Sequence, residues 1–197
     1  KKFTMLRLIN STEEYSALTE VYSAQKLYCN DYIQSSVEEL IKANSLYETH
    51  TEGNLYLFVK KAIGYRLYYY ISDTSEVVNF TDINNIVVEI LYRGEKYYPQ
   101  GEIEYLTKCG FEVNLIRDQY CGVYKDLHIF DMPSDISIQS ARDIEDVQFA
   151  STLFNNSFDT LSGDYITEIE YASLLRCNQM FIAIDNRGNR LGALHQT

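Results

Sequence analysis

Asn54-Leu-Tyr-Leu-Phe-Val-Lys-Lys-Ala-Ile-Gly64-Tyr-Arg66-Leu67 and Asn178-Gln-Met-Phe-Ile-Ala-Ile-Asp-Asn-Arg-Gly188-Asn-Arg190-Leu191 share an asparagine and a Gly-x-Arg-Leu element, each pair standing 124 residues apart (54 to 178, 64 to 188). The first, too apolar and aromatic for helix, is joined through Lys60 to Gly64, where the glycine can supply a positive φ, the pattern of an antiparallel hairpin, and the second turns at Asp185-Asn-Arg-Gly188. Two helix-like segments precede each hairpin, so the repeating unit is larger than the hairpin itself. About sixty residues follow the first hairpin before the second unit starts, whereas the sequence stops a few residues after the second.

Outward from the first hairpin, Phe3 to Ile9 alternates as a strand does. Ser11-Thr-Glu-Glu14 is a capping box, and Tyr15, Leu18, Val21 and Tyr22 keep helical spacing behind it. A second capping box, Ser35-Ser-Val-Glu38, opens a helix with Val37, Leu40 and Ile41 on one face. After the hairpin, Ile86 to Tyr92 is a nearly continuous apolar run interrupted by Glu89, as expected of a central strand covered on both sides. Pro99 introduces a short helix from Gly101 to Lys108, Gly110 ends it, and Phe111 to Ile116 with Cys121 to Tyr124 supplies closing strand material.

The periodic signal lapses at Asp131-Met-Pro133-Ser-Asp135 and then restarts, which divides the chain into residues 1–131 and 132–197. Ile136 to Ser140 reads as a strand, and Asp143 to Asn156 as a helix with Ile144, Val147, Ala150 and Phe154 aligned. Tyr165 to Arg176 reads as a second helix carrying Ile166, Ile169 and Leu175, before the hairpin of Met180 to His195 turns at Asp185-Asn-Arg-Gly188. The expected fold class is α/β of the α+β kind, with mixed, mostly antiparallel sheets flanked by helices. Roughly 65 residues with half a sheet make a marginal core, and an open strand at 190–196 asks for a partner or a further segment to complete it.

Composition narrows the function classes. The 197 residues are 46% hydrophobic with two prolines, which argues for packed globular structure. No run approaches the roughly 18 apolar residues of a bilayer span, and no signal-type apolar core follows Lys1-Lys2-Phe3, so a cytoplasmic protein without a membrane partner is expected. A formal charge of −11, from 28 acidic and 17 basic residues, repels a phosphate backbone, so nucleic acid is not an expected partner. Cys29, Cys109, Cys121 and Cys177 have neither metal-ligand pairing nor disulfide-scaffold density, and read as reduced structural thiols. His50 and His128 lack metal-ligand neighbours. Eighteen tyrosines and no tryptophan fit strand propensity and packing, or a tyrosine-lined groove for sugar or peptide.

Ser140-Ala-Arg-Asp-Ile-Glu-Asp146, Asn155-Asn-Ser-Phe158 and above all Phe181-Ile-Ala-Ile-Asp185-Asn-Arg-Gly188-Asn-Arg-Leu-Gly192-Ala-Leu-His195 resemble the opening half of the GNAT superfamily of N-acetyltransferases. Read this way, the chain looks like tandem GNAT-like lobes, the second incomplete. The resemblance implies acyl transfer from acetyl-CoA to a small-molecule or peptide amine, or alternatively a non-catalytic lobe that binds a ligand or protein. In the family a fourth strand and an Arg/Gln-x-x-Gly-x-Gly/Ala loop hold the cofactor, with small residues letting backbone approach the pyrophosphate. The place after Ile86 to Tyr92 reads Arg93-Gly-Glu-Lys-Tyr97-Tyr98, too bulky for that task, so no cofactor-binding residue is assigned.

The family's closing Tyr-x-x-x-Gly-Phe is stretched to Tyr105-Leu-Thr-Lys-Cys-Gly110-Phe111, and a one-residue slip on a helix turns a side chain by about 100°. Tyr105 is therefore not assigned the family's acid role, and the first lobe reads as degenerate. In the second lobe the resemblance places the acceptor groove along the loop from Phe158 and Asp159 to Asp164 and Tyr165, whose aspartates suit an amine, with His195 as a titratable group near the end of the last strand. Glu89 is either a buried carboxylate with a raised pKa or a solvated, salt-bridged one.

Overall fold

The computed structural model describes residues 5–30, 33, 36–116, 133–158 and 165–196. It divides into two compact units, Lys1–Leu115 and Ile116–Thr197, each of mixed α/β composition with antiparallel pairing. Residues 131 and 132 of the expected boundary, and the strand expected at Cys121 to Tyr124, lie outside the described residues.

The first unit runs β1 (Arg7–Leu8), α1 (Thr12–Ser23), β2 (Tyr28–Cys29), α2 (Val37–Lys42), β3 (Leu46–His50), β4 (Asn54–Lys60), β5 (Tyr65–Ile71), β6 (Ile86–Val88), a 3-10 turn at Glu95–Tyr97 and α3 (Gln100–Lys108). Its sheet is ordered β1-β3-β4-β5, all antiparallel; the far edge of β5 is shared by β2, which pairs with Tyr70 and Ile71, and β6, which runs parallel beside Tyr65 to Leu67. Alternation sends Leu55, Leu57 and Val59 of β4 toward a core with Tyr15, Leu18, Leu40 and Ile41, and Tyr56 and Phe58 toward another with Phe80, Tyr105 and Leu106. Helices α1 and α2 thus cover one face of the sheet and α3 the other.

In the second unit, β7 (Ile136–Ser140), α4 (Ile144–Ser157), a 3-10 turn at Glu168–Glu170, α5 (Tyr171–Arg176), β8 (Met180–Asp185) and β9 (Arg190–His195) form a three-stranded sheet β7-β8-β9. Met180, Ile182 and Ile184 turn inward against Val147, Ala150 and Leu174, while Ile138 and Leu194 of the opposite face are 54% and 59% exposed.

The two units share a strand-helix-helix-hairpin device down to single hydrogen bonds. Ser11 caps the Glu14 N–H, and Asp143 caps the Asp146 N–H. The third helical carboxylate then reaches back, Glu14 to the Asn10 N–H and Asp146 to the Arg142 N–H. Each second helix ends on a left-handed asparagine, Asn44 at φ 51° and Asn178 at φ 51°. Beyond it Ser45 N–H donates to Leu40 O at 2.9 Å and Gln179 N–H to Leu174 O at 3.1 Å, each carrying the chain from helix into strand.

This equivalence corrects the alignment read from sequence. Asn44 and Asn178 correspond, so β8 answers to β3 and β9 to β4, and Asn54 with Gly64 belongs one hairpin later than Asn178 with Gly188. The reason is the strand Leu46–His50, whose Leu-Tyr-Glu-Thr-His ends in three polar residues and hides among helix-compatible neighbours. The fourth strand of the first unit is therefore β5. Ile86 to Tyr92 is not a central strand covered on both faces: only Ile86–Val88 pairs, half-buried and at the edge. Phe111 to Ile116 forms no strand.

Other expectations shift by smaller amounts. The cap of α2 is Ser36, without a side-chain hydrogen bond, and Ser35 lies outside the described residues. Val21 is 70% exposed on the outer side of α1. The helix expected from Tyr165 is a 3-10 turn followed by α5, started by Thr167 and Glu170 in a reciprocal capping box; Ile169 is 92% exposed there, and Leu174 takes the core position. Gly64, Gly110 and Gly188 have the expected positive φ. Because a left-handed Asn is tolerated by its short polar side chain, Asn178→Ala should cost about 1 kcal/mol while Asn178→Gly stays close to neutral in urea unfolding; equal losses for both would refute the cap.

Candidate functional site

The fourth strand is where the resemblance calls for a cofactor, and the residues there do not fit one. The edge of β5 is closed by the chain's own β2: Leu27 N–H donates to Ile71 O at 2.6 Å, and the buried Asn30 accepts from Tyr69 N–H while giving its amide to Leu67 O and Glu89 O. Beyond the strand, the N–H groups that an anion cradle needs are already used. Ser72 and Asp73 N–H both donate to Asn54 Oδ1 at 3.0 Å, Gly53 N–H to Glu76 Oε2, and Ser75 N–H to Asp73 Oδ1. The side chains around them, Asp73 and Glu76, repel phosphate. Among the described residues of this unit, the groups beyond β5 do not fit the pyrophosphate of acetyl-CoA.

Tyr105 is likewise engaged. It is 1% exposed, and its hydroxyl meets the Tyr56 hydroxyl, Asn54 Nδ2 and Glu76 O. Burial pushes the Tyr56 phenol up to about 12, and burial with the Tyr56 contact raises the Tyr105 phenol further still. A phenol so placed serves packing rather than proton delivery.

The strand overlooked in the sequence holds the unit's main polar arrangement. Leu46, Glu48 and His50 alternate onto the α1 side of the sheet; Glu48 is 1% exposed, yet a carboxylate. One of its oxygens accepts from Arg7 Nε and the other meets His50 Nδ1 at 2.8 Å, while Arg7 also pairs with Glu14. The His50 side chain is 46% exposed, its ring 6.1 Å from that of Tyr22, whose hydroxyl donates to Thr51 O. A Glu-x-His spacing at period two was the available signal, legible only once residues 46–50 are seen as a strand. Glu89 proves solvated, 63% exposed and 3.7 Å from Arg66.

In the second unit Phe158 and His195 come together through Phe154: the two phenylalanine rings stack at 5.7 Å, and His195 stands edge-on to Phe154 at 6.3 Å. Tyr165 is 39% exposed beside Ile166, which Asn155 clamps by accepting from its N–H and donating to its C=O. Asp159 and Asp164 lie outside the described residues. Asp146, 1% exposed, receives the Arg142 N–H and Arg190 Nε at 2.8 Å. Among the described residues no cluster of three metal-ligating side chains occurs and no helix is long and apolar enough to cross a membrane.

A scan against protein-family models, a search of curated proteins and a search of solved structures each return no match.

Two predictions follow from these contacts. Asn54→Ala strands two N–H groups and loosens the Tyr56–Tyr105 pair, so the first unit should lose about 2 to 4 kcal/mol in urea unfolding, and a loss near zero would refute the seal. Burial pushes the Asp146 carboxyl up, but the Arg142 N–H and Arg190 more than offset this and hold it below its ordinary 3.8. A lowered folded-state pKa means stability present above the unfolded value and lost as pH falls through the folded one. Arg190→Gln should therefore flatten the loss of unfolding midpoint between neutral pH and about pH 3.

Proposed function

We propose that this chain belongs to a tandem GNAT-like acyltransferase, in which the first unit takes no part in the amine acyl transfer and transfer to a small-molecule or peptide amine is the business of the second. The observation that carries this is the repeat itself: one helix-capped, asparagine-turned strand-helix-helix-hairpin device occurs twice, and the first copy closes the edge of its fourth strand with its own β2. The second unit supplies an acceptor side. Phe154 and Phe158 offer stacked aromatic faces that attract an ammonium group, and His195 stands beside them. The excess of 28 acidic over 17 basic residues draws cations toward the molecule. Acetyl-CoA, as the acyl donor of this reading, brings an activated thioester; the chain's part is to bind and orient the amine.

A second reading is favoured by the sealed β5 edge: a GNAT-like module that binds a ligand or protein without catalysis. Free-thiol release from acetyl-CoA by the full-length protein, measured with polyamine, amino-sugar and peptide amines, separates the two. The acyltransferase reading expects amine-dependent release, insensitive to Tyr105→Phe and lowered about tenfold by Phe158→Ala. No release with any amine, together with no heat on titrating acetyl-CoA, would sink it and leave the binding module.

A further inference from the structure

We propose that Glu48 and His50 form a proton-accepting, nucleophilic pair on the first unit, a site for small activated acyl esters independent of the amine acyltransfer proposed above. Glu48 is the positioning residue and His50 the catalytic one. Three observations carry this.

The first is orientation. A buried carboxylate on Nδ1 selects the tautomer with the proton on that nitrogen and leaves the Nε2 lone pair free. Among the described residues Nε2 has no partner, and the ring is 46% exposed, so a small molecule can reach it. The second is that Glu48 is itself held. Arg7 occupies its other oxygen and is anchored in turn by Glu14, which fixes the carboxylate from behind.

The third is the internal comparison. In the second unit the residues equivalent to Arg7, Glu48 and His50 are Gln139, Ile182 and Ile184, of which the two isoleucines lie in an apolar core. The shared device thus folds without a carboxylate at that position. Burying one carries a desolvation cost that an isoleucine does not incur. A charge kept in one copy at such a cost, and aimed at an accessible imidazole, is explained by chemistry better than by packing.

The step balances without a cofactor. The Nε2 pair attacks the ester carbonyl, the alkoxide or phenolate departs with its bonding pair, and the acyl-imidazolium keeps its proton on Nδ1, hydrogen-bonded to Glu48. Water then adds to the acyl carbon and the C–Nε2 bond breaks, releasing the carboxylic acid and restoring the imidazole, while the second water proton passes to the departed alkoxide or phenolate through solvent.

Diethyl pyrocarbonate modification followed by peptide mapping compares His50 with His128 and His195 in the unaltered full-length protein, and p-nitrophenyl acetate hydrolysis reads turnover. His50 should react about tenfold or more faster than the other two, His50→Gln should remove most phenolate release, and Glu48→Gln should slow both about tenfold in a protein whose circular dichroism is unchanged. If Glu48→Gln fails to fold, the histidine comparison and His50→Gln decide alone. Equal reactivity of the three histidines, or full phenolate release by folded His50→Gln, would overturn the proposal.

Discussion

Strand β4 has no face to give to water: Leu55 to Val59 are at most 2% exposed, and Asn54 is wholly buried. That constraint organises the first unit. Apolar side chains on both faces demand a cover on each, which α1 and α2 provide on one side and α3 on the other, and each buried large side chain stabilises the fold by about 1.5 to 3 kcal/mol. A strand buried on both faces must also have its ends satisfied, because stranded backbone groups cost about as much as buried methyl groups contribute. Asn54 does this at one end by serving Ser72, Asp73, Glu76 and Tyr105 at once.

The same closure determines what the unit can do. Satisfying the backbone around β5 with β2, Asn30 and Asn54 consumes the donors that would otherwise face a phosphate or a thioester carbonyl. The sites proposed above lie elsewhere: the Glu48–His50 pair, set on a strand whose counterpart carries isoleucines, and the cluster of Phe154, Phe158 and His195 in the second unit.

Much of the architecture was legible in particular residues. Ser11 with Glu14 announced its helix because a side-chain oxygen three residues ahead of an N–H is a local matter. Gly64 and Gly188 announced their turns because a positive φ excludes most other residues. Leu46–His50 was not legible: Glu48 breaks the apolar alternation, and only a partner brought from Arg7, distant in sequence, makes a buried carboxylate tolerable. Ile86 to Tyr92 misled for the opposite reason, since apolar residues at a sheet edge look like those of a central strand when neighbours are unknown.

The sequence by itself determined where helices begin, where the chain reverses and that a unit recurs, because caps, turns and periodicity act over three or four residues. Only the tertiary structure decided which hairpin answers to which, which strand is fourth, and that Glu48, His50 and Arg7 meet. Those depend on strand register and on pairing between residues some forty positions apart, and no local pattern encodes which of several acceptable partners a strand will choose.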